Sequence, residues 1–288
     1  MGKIDGKRVL ITGASSGIGK AIAFECAARG AVLALTARRF HYLEKAGYEI
    51  RSVFSDTTAP LLIPCDVSKS DDVSELIDTC VRKLGGIDIL INNAGIGIYG
   101  SIEKASLEDA FSVMNVNFFG AVCCTLNVLP IMKKGGGGKI VNISSVAALH
   151  GVPYLGIYSA SKAALASFGQ SLRAEAARSG IDIMVVYPGY TQTEFFQKEK
   201  NVGGGHRPSG PFTSPQRVAR AVVKAVEKDR RELILSLEGK ALNFFRVLLP
   251  GLVEMKMQRI AAKLKDVPEG INEQAKTSNH RSLSESWR

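Results

Sequence analysis

Cysteine is scarce in this chain, and its pattern does not suggest pairing. The five cysteines, Cys26, Cys65, Cys80, Cys123 and Cys124, are odd in number and two are adjacent, which argues against a disulfide framework. None has zinc-site spacing and no HExxH occurs, so no metal site is expected. Long apolar runs are also missing, and no stretch is expected to span a bilayer. Residues 1–8 are polar, without the apolar stretch of a signal peptide. These absences lead to the expectation of an intracellular, cytoplasmic protein.

Positive charge is present in excess. Lys and Arg number 37 against 27 Asp and Glu, a formal net charge of +10. Such an excess suits nucleic acid, anionic lipid or a phosphorylated cofactor, and equally a solvated basic surface. The basic residues are scattered and no nucleic-acid motif accompanies them, so no nucleic-acid partner is expected. With 288 residues, 45% of them hydrophobic and 22% charged, the chain can bury a full core and leave room for a pocket.

Short β-branched and apolar runs at 7–12, 31–36, 60–65, 87–91, 139–143, 182–187 and 232–235 read as strands. Helical spacing occupies 19–29, 70–84, 106–132, 158–179 and 215–228. Alternation at this interval predicts an α/β protein: a Rossmann-like, doubly wound, seven-stranded parallel sheet with helices on both faces. The glycines at 135–138 read as a surface turn. The expected division is a dehydrogenase-like domain over 1–237, an amphipathic helical extension over 238–266 and a flexible polar tail over 267–288. Ligands of such sheets bind beyond the carboxyl ends of the strands, and the motifs below all fall at such ends.

The first strand runs into Thr12-Gly13-Ala14-Ser15-Ser16-Gly17-Ile18-Gly19. Glycine permits a sharp turn and close approach to a pyrophosphate, and the following helix offers free N–H groups. The second strand ends at Ala37-Arg38-Arg39, where a ribose-binding acid of NAD-type sites would stand. The missing acid and Arg38, a partner for a 2′-phosphate, favour NADP(H) over NAD(H). Asp66, in Cys65-Asp66-Val67, is suited either to accept from an adenine amino group or to cap the helix near Ser70. Asn92-Asn93-Ala94-Gly95 ends the fourth strand; Ala94 and Gly95 would let the backbone pass close to a cofactor, and the Asn side chains are placed to bridge strands.

Tyr158 and Lys162 are four apart and share a helix face. A free phenol ionises near pH 10, too high for an efficient base at neutrality, and a nearby ammonium would lower that value. The pair therefore reads as a proton-transfer device. Ser144-Ser145 brings a hydroxyl to the end of the fifth strand, to donate to a carbonyl oxygen or to cap a turn. Asn117 falls mid-helix, where Asn is disfavoured; its side chain or backbone is placed to hold a water beside Lys162.

Taken together, TGASSGIG at 12–19, NNAG at 92–95, Asn117, NISS at 142–145, YSASK at 158–162 and PG at 188–189 resemble the short-chain dehydrogenase/reductase family over roughly residues 5–237. The resemblance implies a catalytic tetrad of Asn117, Ser145, Tyr158 and Lys162, with Ser145 preferred to Ser144. It implies a dinucleotide held by Gly13, Ser15, Ser16, Gly17, Ile18, Gly19, Arg38, Asp66, Val67, Asn93, Ala94 and Gly95. Tyr158, Lys162, Pro188, Gly189, and Thr191 or Thr193 would attend its nicotinamide end. It also implies pairing of the two long helices into a homodimer or homotetramer. Tyr187 stands where the family often has Asn.

A lid is expected over 191–212, carrying Phe195-Phe196 and the glycines at 203–205. With Leu149, Val152, Tyr154, Leu155 and Tyr190 as apolar walls, the expected substrate is a hydrophobic ketone or secondary alcohol, of steroid, retinoid, sphingoid or acyl type. A 3-oxoacyl thioester is the alternative substrate, and a non-catalytic dinucleotide sensor the alternative of another class. Residues 240–265 interleave apolar and basic residues and should break at Pro250-Gly251. Two readings fit them: peripheral contact with anionic membrane, or an arm over the cleft or a partner subunit.

Overall fold

The computed structural model describes residues 3–55, 58–195, 199–203 and 212–265. Seven parallel strands form one sheet: β1 (Arg8–Thr12), β2 (Val32–Ala37), β3 (Leu61–Pro64), β4 (Ile89–Asn92), β6 (Gly138–Ile143), β7 (Ile181–Tyr187) and β9 (Glu232–Ile234). Their spatial order is β3-β2-β1-β4-β6-β7-β9. The winding reverses between β1 and β4, and Leu10 of β1 sits in register with Ala34 on one side and Leu90 on the other. Strands covered on both faces read as unbroken apolar runs rather than alternating ones, which is why Val9, Leu10 and Ile11 are all buried.

Helices α1 (Gly17–Ala27) and α7 (Pro215–Glu227) cover one face. There Ile22, Val218 and Val222 pack with Ile11, Leu35 and Val186. On the other face α3 (Ser70–Leu84) and α5 (Gly120–Lys134) bring Leu76, Cys80, Val128 and Met132 onto Leu10, Leu90 and Ile140. Full burial of one such aliphatic side chain is worth about 1.5–3 kcal/mol, so the clusters on the two faces hold the sheet as a rigid platform.

Several expectations need amendment. A helix α2 (Phe40–Val53) intervenes between β2 and β3; its core stripe is the narrow set Leu43, Ala46, Gly47 and Ile50, too small and glycine-containing to stand out. A second, two-stranded sheet pairs β5 (Ile98–Tyr99) with β8 (Lys200–Asn201). The helix expected over 106–132 is continuous from Leu107 to Lys134 but not regular: α4 (Leu107–Met114) opens with a Ser106/Asp109 capping box, and a π turn, Asn115–Phe119, joins it to α5. Against the expectation from the sequence, this helix is long and apolar enough to cross a bilayer, with mean hydropathy 1.5 over its 18-residue window. Its apolarity has another use here, since α5 is packed against α3, β4 and β6.

The C-terminal extension forms α8 (Leu237–Leu248) and α9 (Pro250–Lys265). They are separated by Leu249, whose φ of −137° and ψ of 60° leave the helical region. Pro250 then opens α9, a position where its missing N–H costs nothing. Phe196, Gly204 and Gly205 of the expected lid, and the tail at 267–288, lie outside the described residues.

Candidate active site

A cavity of about 430 Å³ lies beyond the carboxyl ends of β1, β2, β4, β6 and β7, across the reversal in strand order where open α/β sheets bind ligands. Of the residues assigned from sequence to catalysis or to the dinucleotide, all but Gly19, Asp66 and Asn117 line it.

At one end the wall is largely main chain. Gly13 has φ +66°, and a Cβ there would stand 2.8 Å from the Ala94 Cα; only glycine fits both demands. Thr12 Oγ1 accepts from the backbone N–H groups of Asn93 and Ala94, each at 3.0 Å. Asn93 Nδ2 returns the bond, donating to Thr12 O at 2.9 Å and Gly13 O at 3.2 Å. The loops after β1 and β4 are thereby locked together. Asn92 bridges the next pair of strands, donating to Asn142 Oδ1 at 3.0 Å. Gly19 does not face the cavity: a Cβ there would meet Gly13 O at 2.4 Å, so its role is close packing of loop on helix. Ser16, the N-cap of α1, makes no side-chain capping bond, and the first turn holds no acid. The first N–H groups of α1 are therefore left for an anion.

Arg38 and Arg39 both line the cavity at the end of β2. Arg38 is half exposed, 3.9 Å from Asp66. Arg39 lies 4.6 Å from the Tyr42 ring centroid and 4.0 Å from Glu194. Sequence reasoning chose only Arg38; adjacency in the motif was the available signal for the second guanidinium. Asp66 does not cap the helix at Ser70. Its carboxylate closes a local turn, accepting from Ser68 N at 3.1 Å and Ser68 Oγ at 2.8 Å. The N-cap of α3 is Lys69, and the flanking Cys65 and Val67 are what reach the cavity.

At the other end, α6 (Gly156–Glu175) begins two residues ahead of Tyr158. Lys162 lies one turn further on, its Nζ 5.9 Å from the Tyr158 ring centroid. That ammonium is buried and donates to Ile143 O at 2.9 Å; burial brings its pKa down to about 8. The two serines divide their work. Ser144 Oγ donates to Lys162 O at 2.8 Å, tying α6 to β6. Ser145 lines the cavity and accepts from Ala147 N at 3.2 Å, capping a 3₁₀ turn over Val146–Ala148.

Asn117 sits in the π turn, fully buried and outside the cavity lining. Its Oδ1 accepts from Ile96 N at 2.8 Å, and its Nδ2 donates to Ile96 O at 2.9 Å and Ser161 Oγ at 3.0 Å. The amide is thus a clamp on the loop after β4. Gly95 separates this amide from the lysine, since a Cβ there would lie 3.2 Å from Asn117 Oδ1 and 3.4 Å from Lys162 Nζ.

The apolar walls are partly those foreseen. Val152, Leu155 and Tyr190 line the cavity, joined by Ile96, Val146 and Phe195. Leu149 instead packs in a small core with Val185 and Tyr187. Tyr154, at φ +63°, stacks on Tyr99 at 6.0 Å. The Phe195 ring is 5.6 Å from that of Tyr158. Glu199 also lines the cavity, its Oε1 close over Gly97, and nothing in the sequence marked it. Thr191 Oγ1 donates to Gly189 O at 3.0 Å, and the Thr193 methyl closes on Gly17. Tyr187 is core, with burial pushing its pKa up to about 12. All five cysteines are free, and burial raises Cys26, Cys65 and Cys80 to about 12. Among the described residues no metal-binding cluster of His, Cys, Asp or Glu is found.

Comparison with known proteins agrees with this geometry. The family model described as short chain dehydrogenase matches residues 7–202. An 11-beta-hydroxysteroid dehydrogenase 1A of Arabidopsis thaliana is 38% identical over 263 residues, covering 86% of this chain and 74% of its own. An NADP-dependent 3-hydroxy acid dehydrogenase of Schizosaccharomyces pombe is 36% identical over 245 residues, covering 82% and 92%. Among solved structures, a short chain dehydrogenase/reductase of Burkholderia phymatum in complex with NAD superimposes with a TM-score of 0.78 at 25% identity, covering 88% of this chain and 97% of that one.

Proposed function

The chain belongs to the short-chain dehydrogenase family, oxidoreductases that act on CH–OH groups with a nicotinamide cofactor, and from that premise we propose that it interconverts a hydrophobic ketone and its secondary alcohol using NADP(H), with Tyr158 as acid/base. The observation carrying this reading is that Ser145, Tyr158 and Lys162 line one cavity with the uncapped α1 terminus and the Arg38/Arg39 pair. The residues present fit a dinucleotide. Gly13 and Gly17 line the cavity where α1 begins and its first N–H groups suit a pyrophosphate, and two guanidiniums with no acid at the end of β2 suit a 2′-phosphate. When bound, the cofactor supplies or accepts the hydride.

The side chains do the rest. In reduction, Tyr158 transfers its proton to the carbonyl oxygen while the Ser145 hydroxyl donates to the same oxygen and orients it. The Lys162 ammonium favours the phenolate that remains. Its pKa near 8 lets it exchange protons close to neutrality, and the Asn117 backbone is assigned the water that reprotonates it. The apolar wall of Ile96, Val146, Leu155 and Phe195 favours a steroid-, retinoid-, sphingoid- or acyl-like substrate. A 3-oxoacyl thioester is the rival, in keeping with the 3-hydroxy acid named for the yeast relative. Exposed Leu107, Phe111, Phe119 and Leu126 on α4, the π turn and α5 would pair with a second copy, giving a homodimer or homotetramer.

The test is Tyr158→Phe assayed for NADPH consumption over a panel of steroid, aliphatic and 3-oxoacyl carbonyls. General acid–base catalysis is worth about 10² to 10⁴ in rate, so turnover should fall by about that factor while NADPH affinity stays within about twofold. Near-wild-type turnover by the variant would overturn the mechanism.

A further inference from the structure

The two C-terminal helices carry an apolar surface that the rest of the described chain leaves uncovered. α8 is fastened at its base. Ser236 Oγ accepts from Gly239 N at 3.0 Å, Gly239 sits so close to Val146 that a Cβ would lie 2.6 Å from its Cγ1, and Leu242 packs beside Leu149 and Tyr187. Further along, residues 244–252 are exposed without interruption. The segment reads Phe-Phe-Arg-Val-Leu-Leu-Pro-Gly-Leu, with Arg246 its one charge. Phe244 is 60% exposed and Val247 70%. Single exposed apolar residues are ordinary, but a contiguous patch marks an interaction surface.

Charge indicates what that surface meets. Residues 238–265 contain six basic and two acidic residues. Among the described residues, none of Lys240, Arg246, Lys256, Arg259 and Lys263 takes part in an ion pair. Pairing this surface with a second copy would bring like charges together at the face being buried. A lipid bilayer with anionic headgroups satisfies both features at once: the basic residues meet phosphate and carboxylate groups, and the apolar junction enters the acyl boundary. Helices of 12 and 16 residues are too short to span a bilayer core, which takes about 20. The junction is a helix end, one non-helical residue and a helix start, and fluid hydrocarbon takes up such a segment without a preformed groove.

We propose that α8 and α9 form a monotopic membrane anchor, in which Phe244, Phe245, Leu248 and Leu249 insert into an anionic leaflet and the flanking lysines and arginines hold its headgroups. The assignment stands apart from the catalytic reading: it concerns attachment, and would survive a different substrate or cofactor. The test is cosedimentation of the full chain with phosphatidylcholine vesicles, with and without phosphatidylserine, beside the variant Phe244→Ser/Phe245→Ser/Leu248→Ser. The expected result is binding to phosphatidylserine-containing vesicles that weakens several-fold as salt is raised and about 100-fold in the variant. The substituted side chains are exposed, so circular dichroism and assembly size should not change. Equal vesicle binding by both proteins, or binding indifferent to phosphatidylserine, would overturn the proposal. So would a variant that sediments as a smaller assembly than the parent, which would make this face a contact between copies.

Discussion

At the dinucleotide end of the cavity the walls are largely main chain; at the carbonyl end they are side chains. Gly13, Ala94 and the α1 terminus shape the first by how closely backbone approaches backbone, and each belongs to a loop that directly follows a strand of the large sheet. Ile96, Val146, Leu155, Phe195 and Glu199 shape the second, from segments hung outside the sheet: a 3₁₀ turn, the loop before α6 and the stretch around the small β5/β8 pairing. A shape made of backbone tolerates little change and serves one constant ligand. One made of side chains on peripheral segments can be resculpted without disturbing the core. Between them stand Tyr158 and Lys162, on a helix held to β6 by Ser144.

Removing the lysine tests the junction itself and should have the largest effect. Lys162→Met is expected to lower kcat by about 10²-fold, at the lower bound for loss of acid–base assistance, with the carbonyl KM little changed. It also carries a stability signature. The folded-state pKa of Lys162, about 8, is depressed from 10.5, so the folded protein binds fewer protons than the unfolded chain between those values. The penalty for burying the ammonium is full below pH 8 and fades as pH rises towards 10.5. The stability of the variant relative to the parent should therefore decline by roughly 1–3 kcal/mol across that window, read from urea melts at pH 7 and pH 10. A flat difference would mean that Lys162 is not a buried cation.

A smaller effect should fall wholly on the dinucleotide end. Arg38→Ala is expected to raise the KM for NADPH by about 10- to 100-fold, the worth of a charge-assisted bond to phosphate, and to leave NADH kinetics nearly unchanged. An equal loss with both cofactors would show that Arg38 shapes the pocket rather than reads the phosphate. The smallest change belongs to the opposite end. Phe195→Ala should raise the KM for a hydrophobic ketone a few-fold, since it uncovers apolar contact beside Tyr158, with NADPH binding unaffected. If cofactor affinity fell in parallel, the two ends would be one coupled surface and the contrast drawn above would fail.

What could be read in advance follows the same division. The strand–helix alternation, the glycine loop, the Arg38 position and the Tyr158/Lys162 spacing are properties of short segments, and the sheet they build places them together because all its strands run the same way. Helix α2 escaped because its buried stripe is narrow and includes Gly47. The turn that Asp66 closes on Ser68 escaped because an Asp after a strand serves a local turn as readily as a helix cap. The Asn117 clamp was not foreseen because a π turn, and the contact with Ile96 that it permits, depend on packing against a distant loop.

The sequence by itself therefore determined the α/β architecture, the end of the sheet at which ligands bind and the residues available for proton transfer, because each follows from local periodicity and backbone geometry. Only the tertiary structure decided that Ser144 ties α6 to β6 while Ser145 caps a turn, that Asn117 clamps a loop, that Arg39 joins Arg38 at the cavity, that Glu199 lines it, and that residues 244–252 are left bare. Those depend on which surfaces meet across the chain, and no local pattern records that.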